Sequence, residues 1–597
     1  MKRRVFGLIV GVAMVAFPAL VQTTGATAQV VGTEALVSEG SPTGPFSQNK
    51  QNEPAVAVDA HNPSVLAAGA NDNIDMEACN AGDDTTCPFT DGVGGSGVYF
   101  SFDSGKTWTQ PEYTGYSARG CLGVVGPDAG CTPDPSGTIG TLPNYYENGL
   151  VSDGDPALAF GPQPGSDGSF SWDNGSRLYY ANLSSNFPGT QAFKGFEAVA
   201  VSRTDDVEAA ASGENTAWMD PVIVTKQSST TFSDKEQIWA DNASSSPFFG
   251  NVYVCLASFR SLSSGNALPT PLIVATSSDG GDTWTVKQVT DATNNPFNPK
   301  KGFGRSGCTI RTDSNGVVYV MANQFAVGTP GNGAHILIRS FNGGKNWTRP
   351  ETIAPATDTC FYVDPVLGRC VMDGIAGARD DLSSSPSLDI ANGAPDGSGA
   401  TDVLYDTWVD GSSGSAGPPV DNTTQIKLMW SDSGGDSWSD PTTVPIASGD
   451  RPYYAAVALS PDGSDAYLVY NAFTTPFQDN TSDPRGLVGV VLHADVAPDG
   501  TPSNWTELHR GAVGDPRTSS QNNLVGEFLG DYVYAAATND FGVAVWNDVR
   551  NGADCPAMDT WRAFLRGIGS EVPTPAPEQD CPATWGNTDI FGFTTAP

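Results

Sequence analysis

The sequence is poor in positive charge. Of its 597 residues, 30 are Lys or Arg and 66 are Asp or Glu, for a formal net charge of −36. Nucleic-acid binding rests on Lys and Arg that neutralise phosphates, and adhesion to anionic membranes rests on the same residues. Neither partner suits this chain. Histidine is scarcer still: His61, His335, His493 and His509 sit in no recognisable triad context. There is no G-x-S-x-G, no H-E-x-x-H and no phosphate-cradling P-loop. Beyond Val21, no segment approaches the roughly 20 continuous apolar residues that a spanning helix needs. Long amphipathic helical patterns are missing as well.

What is present begins with an export signal. Lys2, Arg3 and Arg4 precede an apolar run from Val5 to Val21, and small residues ending "ATA" stand before Gln29. This pattern predicts a signal peptide over residues 1–28, cleaved after Ala28, and a secreted, soluble mature chain over 29–597. The ten cysteines agree, because even counts in exported chains read as disulfides. Eight fall into local couples, Cys79/Cys87, Cys121/Cys131, Cys360/Cys370 and Cys555/Cys581, which leaves Cys255 and Cys308 to meet through the fold. With four histidines, such spacings argue against a structural zinc site. "NDNIDMEACNAGDD", from Asn71 to Asp84, is dense in oxygen ligands for calcium but lacks the EF-hand pattern, and its cysteine makes it a stapled loop. No other cofactor is expected.

The chain repeats itself. "SFDSGKTW" from Ser101, "SSDGGDTW" from Ser277, "SFNGGKNW" from Ser340 and "SDSGGDSW" from Ser431 each follow a short strand-like run. Degenerate copies end at Trp218 and Trp505. Upstream of each box lies a polar start, an alternating strand, a Gly/Asn/Asp turn and a second strand, as in "NEPAVAVDAHNPSVLAAG" from Asn52. Seven such units occur, the last without a clear box. Four-stranded units at this spacing are the blades of a β-propeller. The expected fold is therefore all-β, a single propeller of seven blades, or six if one unit is an embellishment. "NTDIFGFTT" supplies the third strand of the last blade, and the segment before Asn52 supplies the fourth and closes the ring. The Pro-rich "EVPTPAPEQD" reads as a surface loop pinned by a disulfide.

The octapeptide S-x-D-x-G-x-T-W resembles the Asp-box, or BNR repeat, of sialidase-like propellers, and the resemblance spans essentially the whole mature chain. The residues give the box a structural job. Asp103 and Asp279 accept bonds from backbone N–H groups of their own turns, and Gly105 and Gly281 permit backbone that a Cβ would penalise. Trp108, Trp284, Trp347 and Trp438 bury large rings between blades, at roughly a few kcal/mol each.

The resemblance implies an exo-α-sialidase-like glycoside hydrolase with its site at one end of the propeller axis. Sialidases hold a carboxylate with three arginines, use a glutamate-activated tyrosine as nucleophile and an aspartate as acid/base. The family's R-I-P motif is missing, and Glu53 in "QNEPAVAV" stands where an arginine would be sought. The candidates at inner-strand entrances are Tyr532 with Glu527 as nucleophile and helper, and Asp155 or Asp234 as acid. Arg305 and Arg451 would bind an anionic or polar sugar, with Glu53, Glu236 and Asp531 completing the substrate site. A non-catalytic propeller that binds a glycan or protein is the alternative reading, and the same charges would then satisfy each other around a wet channel. Under either reading the partner is an extracellular glycan or glycoprotein and the protein a monomer.

Overall fold

The computed structural model describes residues 32–79, 90–121, 132–225, 228–260, 270–291, 303–326, 333–360, 362–366, 368, 370–372, 382, 384–412, 423–522, 524–526 and 528–597. Seven antiparallel sheets form the blades of a β-propeller. Their inner strands are Gln51–Val58, Ala157–Pro162, Thr231–Ala240, Phe303–Thr312, Ser387–Ile390, Arg451–Leu459 and Tyr534–Ala537. The seventh blade closes the ring: Asp589–Thr594 is its third strand, and Thr33–Leu36 pairs with it as the fourth. Joining the two ends of the ring in one sheet removes the open edges a linear array would leave.

Three departures from the expected four-stranded units occur. Among the described residues the first blade has three strands, and two isolated bridges, Phe100 with Thr109 and Gly97 with Thr141, stand where the fourth would run. The second blade gains Leu150–Ser152, which extends the sheet along Ser176–Asn186. A ten-residue helix, Pro556–Leu565, sits in the insertion of the seventh blade, closed by the Cys555–Cys581 disulfide. Pro at its first turn costs no hydrogen bond, and Met558, Trp561 and Arg562 point inward. Arg562 donates from Nη1 to the Arg517 carbonyl at 3.0 Å and from Nη2 to that of Ser519 at 2.9 Å. Its apolar pattern is too short and too interrupted by polar residues to stand out in the sequence.

The repeated octapeptides form matching turns. In the second, Gly281 N–H donates to Ser277 Oγ at 2.8 Å and Thr283 N–H to Asp279 Oδ1 at 2.9 Å. The first repeats this with Gly105, Ser101, Thr107 and Asp103. In the fourth the acceptor of the second bond is Ser433 Oγ, 2.9 Å from Ser437 N, so a hydroxyl serves where the others have Asp or Asn. The tryptophans that follow pack between neighbouring blades. Trp108 lies with Tyr99 and Leu66 of the first blade and Val543 and Val545 of the seventh. Trp284 packs against the second and third blades and Trp347 against the third and fourth. Trp438 packs against the fourth and fifth.

Cys255–Cys308 joins the third blade to the inner strand of the fourth, and Cys360–Cys370 closes a ten-residue separation. Cys79 and Cys121 are also disulfide-bonded, while Cys87 and Cys131 lie outside the described residues. Among the described residues no helix is long and apolar enough to cross a membrane.

Candidate functional site at the propeller axis

The inner strands of the first four blades share a device at their entrances. Glu53, Asp155, Lys235 and Gly307 all have left-handed backbone, with φ of 56°, 52°, 59° and 59°. In the first, third and fourth blades the residue sits in a bulge, between Asn52 and Ala55, Asp234 and Gln237, and Ser306 and Thr309. A bulge inserts one extra residue and re-aims side chains. For a residue other than glycine, the left-handed conformation costs about 1–3 kcal/mol. Three neighbouring blades meet that cost with charged residues, and all three side chains enter one electrostatic cluster.

Lys235 is its centre. Its Nζ lies 2.8 Å from Asp531 Oδ2, 3.2 Å from Asp155 Oδ2 and 3.7 Å from Asp234 Oδ1. It thereby links the second, third and seventh blades. Tyr454 of the sixth blade donates to Asp531 Oδ1 at 3.2 Å. Glu53 is fully buried, its N–H bonds Asn547 Oδ1 at 2.9 Å, and Asn71 Nδ2 donates to its Oε2. The Asn71 Oδ1 accepts the Asp155 N–H at 2.7 Å, so one amide fixes both acidic residues.

Glu236 differs from all of these. It is 5% exposed, and neither carboxyl oxygen has a hydrogen-bond partner among the described residues. It faces a cavity of about 80 Å3 bounded also by Lys235, Arg311, Tyr454, Asp531 and Tyr532. A second cavity, of about 190 Å3, lies towards the other end of the axis, and Gln237, Arg311, Tyr534 and Ala535 border both. Arg311 is committed where the two meet: its Nε donates to Asp389 Oδ1 at 3.0 Å and its guanidinium lies 4.6 Å from the Trp239 ring centroid.

Electrostatics separate the carboxyl groups. Burial opposes charge on Asp155, but the Lys235 ammonium and a bond from Glu53 hold its carboxyl below the usual range. Burial, reinforced by the charges of Asp155 and Asp234, pushes Glu236 well above that range. Glu53 is raised by burial and by Asp155 and Asp531. Asp234 is raised to about 7 by burial, with Lys235 acting against the rise. The Tyr532 phenol is pushed up by burial and by the charges of Asp155 and Glu53. Asp155 is thus pushed towards its carboxylate form and Glu236 towards its protonated form, the kind of divergence that separates acid from base roles.

Of the sequence candidates, Glu53, Asp155, Asp234, Glu236, Asp531 and Tyr532 come together here. Glu527 lies outside the described residues. Arg305 is buried in the fourth blade, where it donates to Gln324 Oε1 at 3.1 Å and to the Asp291 carbonyl at 3.0 Å. Arg451 donates to the Gly449 carbonyl at 2.7 Å. Neither arginine borders the axial cavities. Lys235, the hub, carried no assigned role in the sequence. Its signal was the set of triplets N-E-P, G-D-P, D-K-E and S-G-C at residues 52–54, 154–156, 234–236 and 306–308.

The calcium-like stretch spends its described aspartates on protein donors. Asp72 accepts from Gln51, Tyr99 and Gln110 at 3.0, 2.8 and 2.7 Å. Asp75 accepts from Arg119 Nε at 2.7 Å and Thr141 Oγ1 at 2.7 Å. Residues 80–84 of that stretch lie outside the described residues.

The fold and site define a class: a seven-bladed propeller with an acidic axial pocket. No protein-family model matches the chain, and no curated protein matches it. Among solved structures it is similar to the Hadza microbial sialidase Hz136, at 13% identity over 70% of this chain and 63% of that one, with a TM-score of 0.37. Trypanosoma rangeli sialidase in complex with the inhibitor DANA is 13% identical, over 77% of this chain and 57% of that one, with a TM-score of 0.34. Penicillium chrysogenum alpha-L-arabinanase complexed with arabinobiose is 10% identical, over 66% and 89%, with a TM-score of 0.35. The chain thus spans less than two thirds of the length of either sialidase.

Proposed function

We propose that the protein is an extracellular, glycan-acting glycoside hydrolase with its reacting centre at the propeller axis. Glu236 is the general acid and Asp155 the ionised carboxylate that assists on the other side of the scissile bond. The observation that carries this reading is Glu236 itself: buried, without a hydrogen-bond partner on either oxygen among the described residues, on a cavity wall that it shares with Lys235 and Asp531, with Asp155 on the far side of the lysine. An acid that keeps its proton at neutral pH can protonate a leaving-group oxygen. Tyr532 borders the same cavity, and with its phenol pushed up it needs a base before it can attack. Disulfides support the extracellular setting.

A propeller that binds a glycan without cleaving it is the second reading. Lys235 favours it, because its bridges to Asp155 and Asp531 satisfy three buried charges without a substrate.

A panel of aryl-glycosides, aryl-sialosides included, tests the hydrolase reading. Release of the aryl group from at least one member is expected. No release from any, together with retention on a glycan array, would leave the binding reading. If cleavage survives Tyr532→Phe, the tyrosine is not the nucleophile and the two-carboxylate scheme stands. If Tyr532→Phe abolishes cleavage while Asp155→Asn spares it, the tyrosine is the essential group and Asp155 a bystander.

A further inference from the structure

Away from the axis, the sixth blade gathers three metal-ligating side chains on one face of its sheet. Asp465 opens the second strand, Asp465–Phe473, and Asp495 ends the third, Leu487–Asp495. The strands pair so that Asp465 stands directly opposite Asp495, and Tyr467 opposite His493. Alternate residues of a strand share a face, and so do opposed residues of an antiparallel pair. Asp465, His493 and Asp495 therefore project together, and one ligand atom from each lies within 4.8 Å of the other two. None of the three borders the axial cavities.

This register is unfavourable for two aspartates, because like charges directly opposed across a sheet destabilise it. His493 relieves one of them. Its Nε2 lies 2.7 Å from Asp465 Oδ1, and that bond holds the Asp465 carboxyl below its usual range. The exposed Asp495 takes no part in it. Neighbours fix the other two donors. Ser464 Oγ donates to Asp465 Oδ2 at 2.6 Å, on the oxygen that the histidine leaves, and the Tyr467 ring packs on His493 with centroids 5.1 Å apart. Contacts of this kind orient the ligands of a metal site.

The donor set narrows the ion. Two carboxylates and an imidazole suit a divalent transition ion, and zinc accepts such a set with water in the remaining position. Calcium takes about six to eight oxygens and gains little from a ring nitrogen.

We propose that Asp465, His493 and Asp495 bind a zinc-class divalent cation, which clips the second and third strands of the sixth blade together. The ion takes the place of the hydrogen between His493 Nε2 and Asp465. A neutral ring then carries its hydrogen on Nδ1 and offers the Nε2 lone pair to the metal, with no proton lost. One positive centre faces both aspartates, so the opposed charges become a cross-strand tie. The site is independent of the chemistry at the axis.

Zn2+ titrated calorimetrically into the full chain, after removal of metal with EDTA, tests this. One ion per chain should bind. His493→Ala, Asp465→Asn and Asp495→Asn should each weaken that binding about tenfold or more, at least the cost of losing an outer-shell partner of a ligand. His61→Ala, which removes an exposed histidine of the first blade, should leave it unchanged, and Ca2+ should not compete. Co2+ in place of Zn2+ should give a visible absorption band that His493→Ala removes. Thermal denaturation adds a readout that a purely structural histidine–aspartate pair would not move. Without metal, Asp495→Asn should melt at or above the parent, because it removes the like-charge pair. With saturating Zn2+ the order should reverse, because the parent gains the stability that a bound ligand confers. No binding, binding that survives His493→Ala, or a Tm order that Zn2+ does not change would overturn the proposal.

Discussion

Glu236→Gln should lower kcat/KM for any glycoside the protein cleaves by about 10²–10⁴-fold, the usual scale for losing a general acid. The same variant should be as stable as the parent, or more so, at neutral pH. The sign follows from the raised pKa of the buried carboxyl. Between the unfolded value near 4.5 and the folded value, the native state binds more protons than the unfolded state, so this group costs stability increasingly as pH rises. Glutamine has nothing to ionise and escapes that cost. Thermal denaturation of both proteins at pH 5 and pH 8 reads the effect, and the gap should favour the variant at the higher pH. A substituted site that gains stability while losing activity marks a functional group, since a residue present for packing alone behaves in the opposite way. Aryl-glycosides with strongly acidic leaving groups need less protonation and should suffer least, which separates loss of an acid from general damage to the pocket.

The second large effect lies away from the axis. His335, on Gly333–Ser340 of the fourth blade, is fully buried between blades, with Nδ1 2.6 Å from Asp406 Oδ2 and Nε2 2.9 Å from the Ser384 carbonyl. Both ring nitrogens face oxygen atoms, which favours the doubly protonated ring beside a carboxylate, although burial also raises the Asp406 carboxyl against the pull of His335. Burial works against charge on the ring, but Asp406 and the carbonyl raise the His335 pKa above its ordinary value. His335→Ala leaves Asp406 buried and unpaired and should cost about 3–5 kcal/mol. The contribution of a raised histidine is fully present below the unfolded pKa near 6.5 and fades as pH rises through the folded value. Denaturant unfolding of parent and variant should therefore differ most at acidic pH, with the gap narrowing towards alkaline pH. Replacing both partners with apolar residues, His335→Leu with Asp406→Leu, should recover part of the loss. Glycoside cleavage at the axis should follow the folded fraction and nothing more.

The ring was legible because its signals are local. Each octapeptide names a turn and a tryptophan a few residues apart, and a strand pair precedes each one, so counting them counts blades. Closure was legible for a similar reason: Asp589–Thr594 is an isolated strand pattern with no other sheet to join. The first blade lost a strand, and the helix at Pro556–Leu565 passed unseen, where the pattern was short. The axial site was readable only as a set of candidates. Inner-strand entrances can be located from sequence, but which side chain turns to the axis depends on a bulge. The bulge at Lys235 and Glu236 has no marker of its own, since left-handed backbone is usually signalled by glycine. Gly307 carries that marker at the matching place in the next blade. Arg305 and Arg451 show the same ambiguity from the other side: each lies on an inner strand, yet each points its guanidinium at backbone or side-chain acceptors of its surroundings rather than at the cavity.

The central claim is that the axis pairs a neutral Glu236 with an ionised Asp155. Infrared difference spectra between the parent and Glu236→Gln, recorded in H2O and D2O at pH 7, read this directly. A protonated-carboxyl C=O band that shifts on deuteration and disappears in the variant is the expected result. A carboxylate band lost in its place would contradict the account, because a Glu236 already charged at neutral pH has no proton to give.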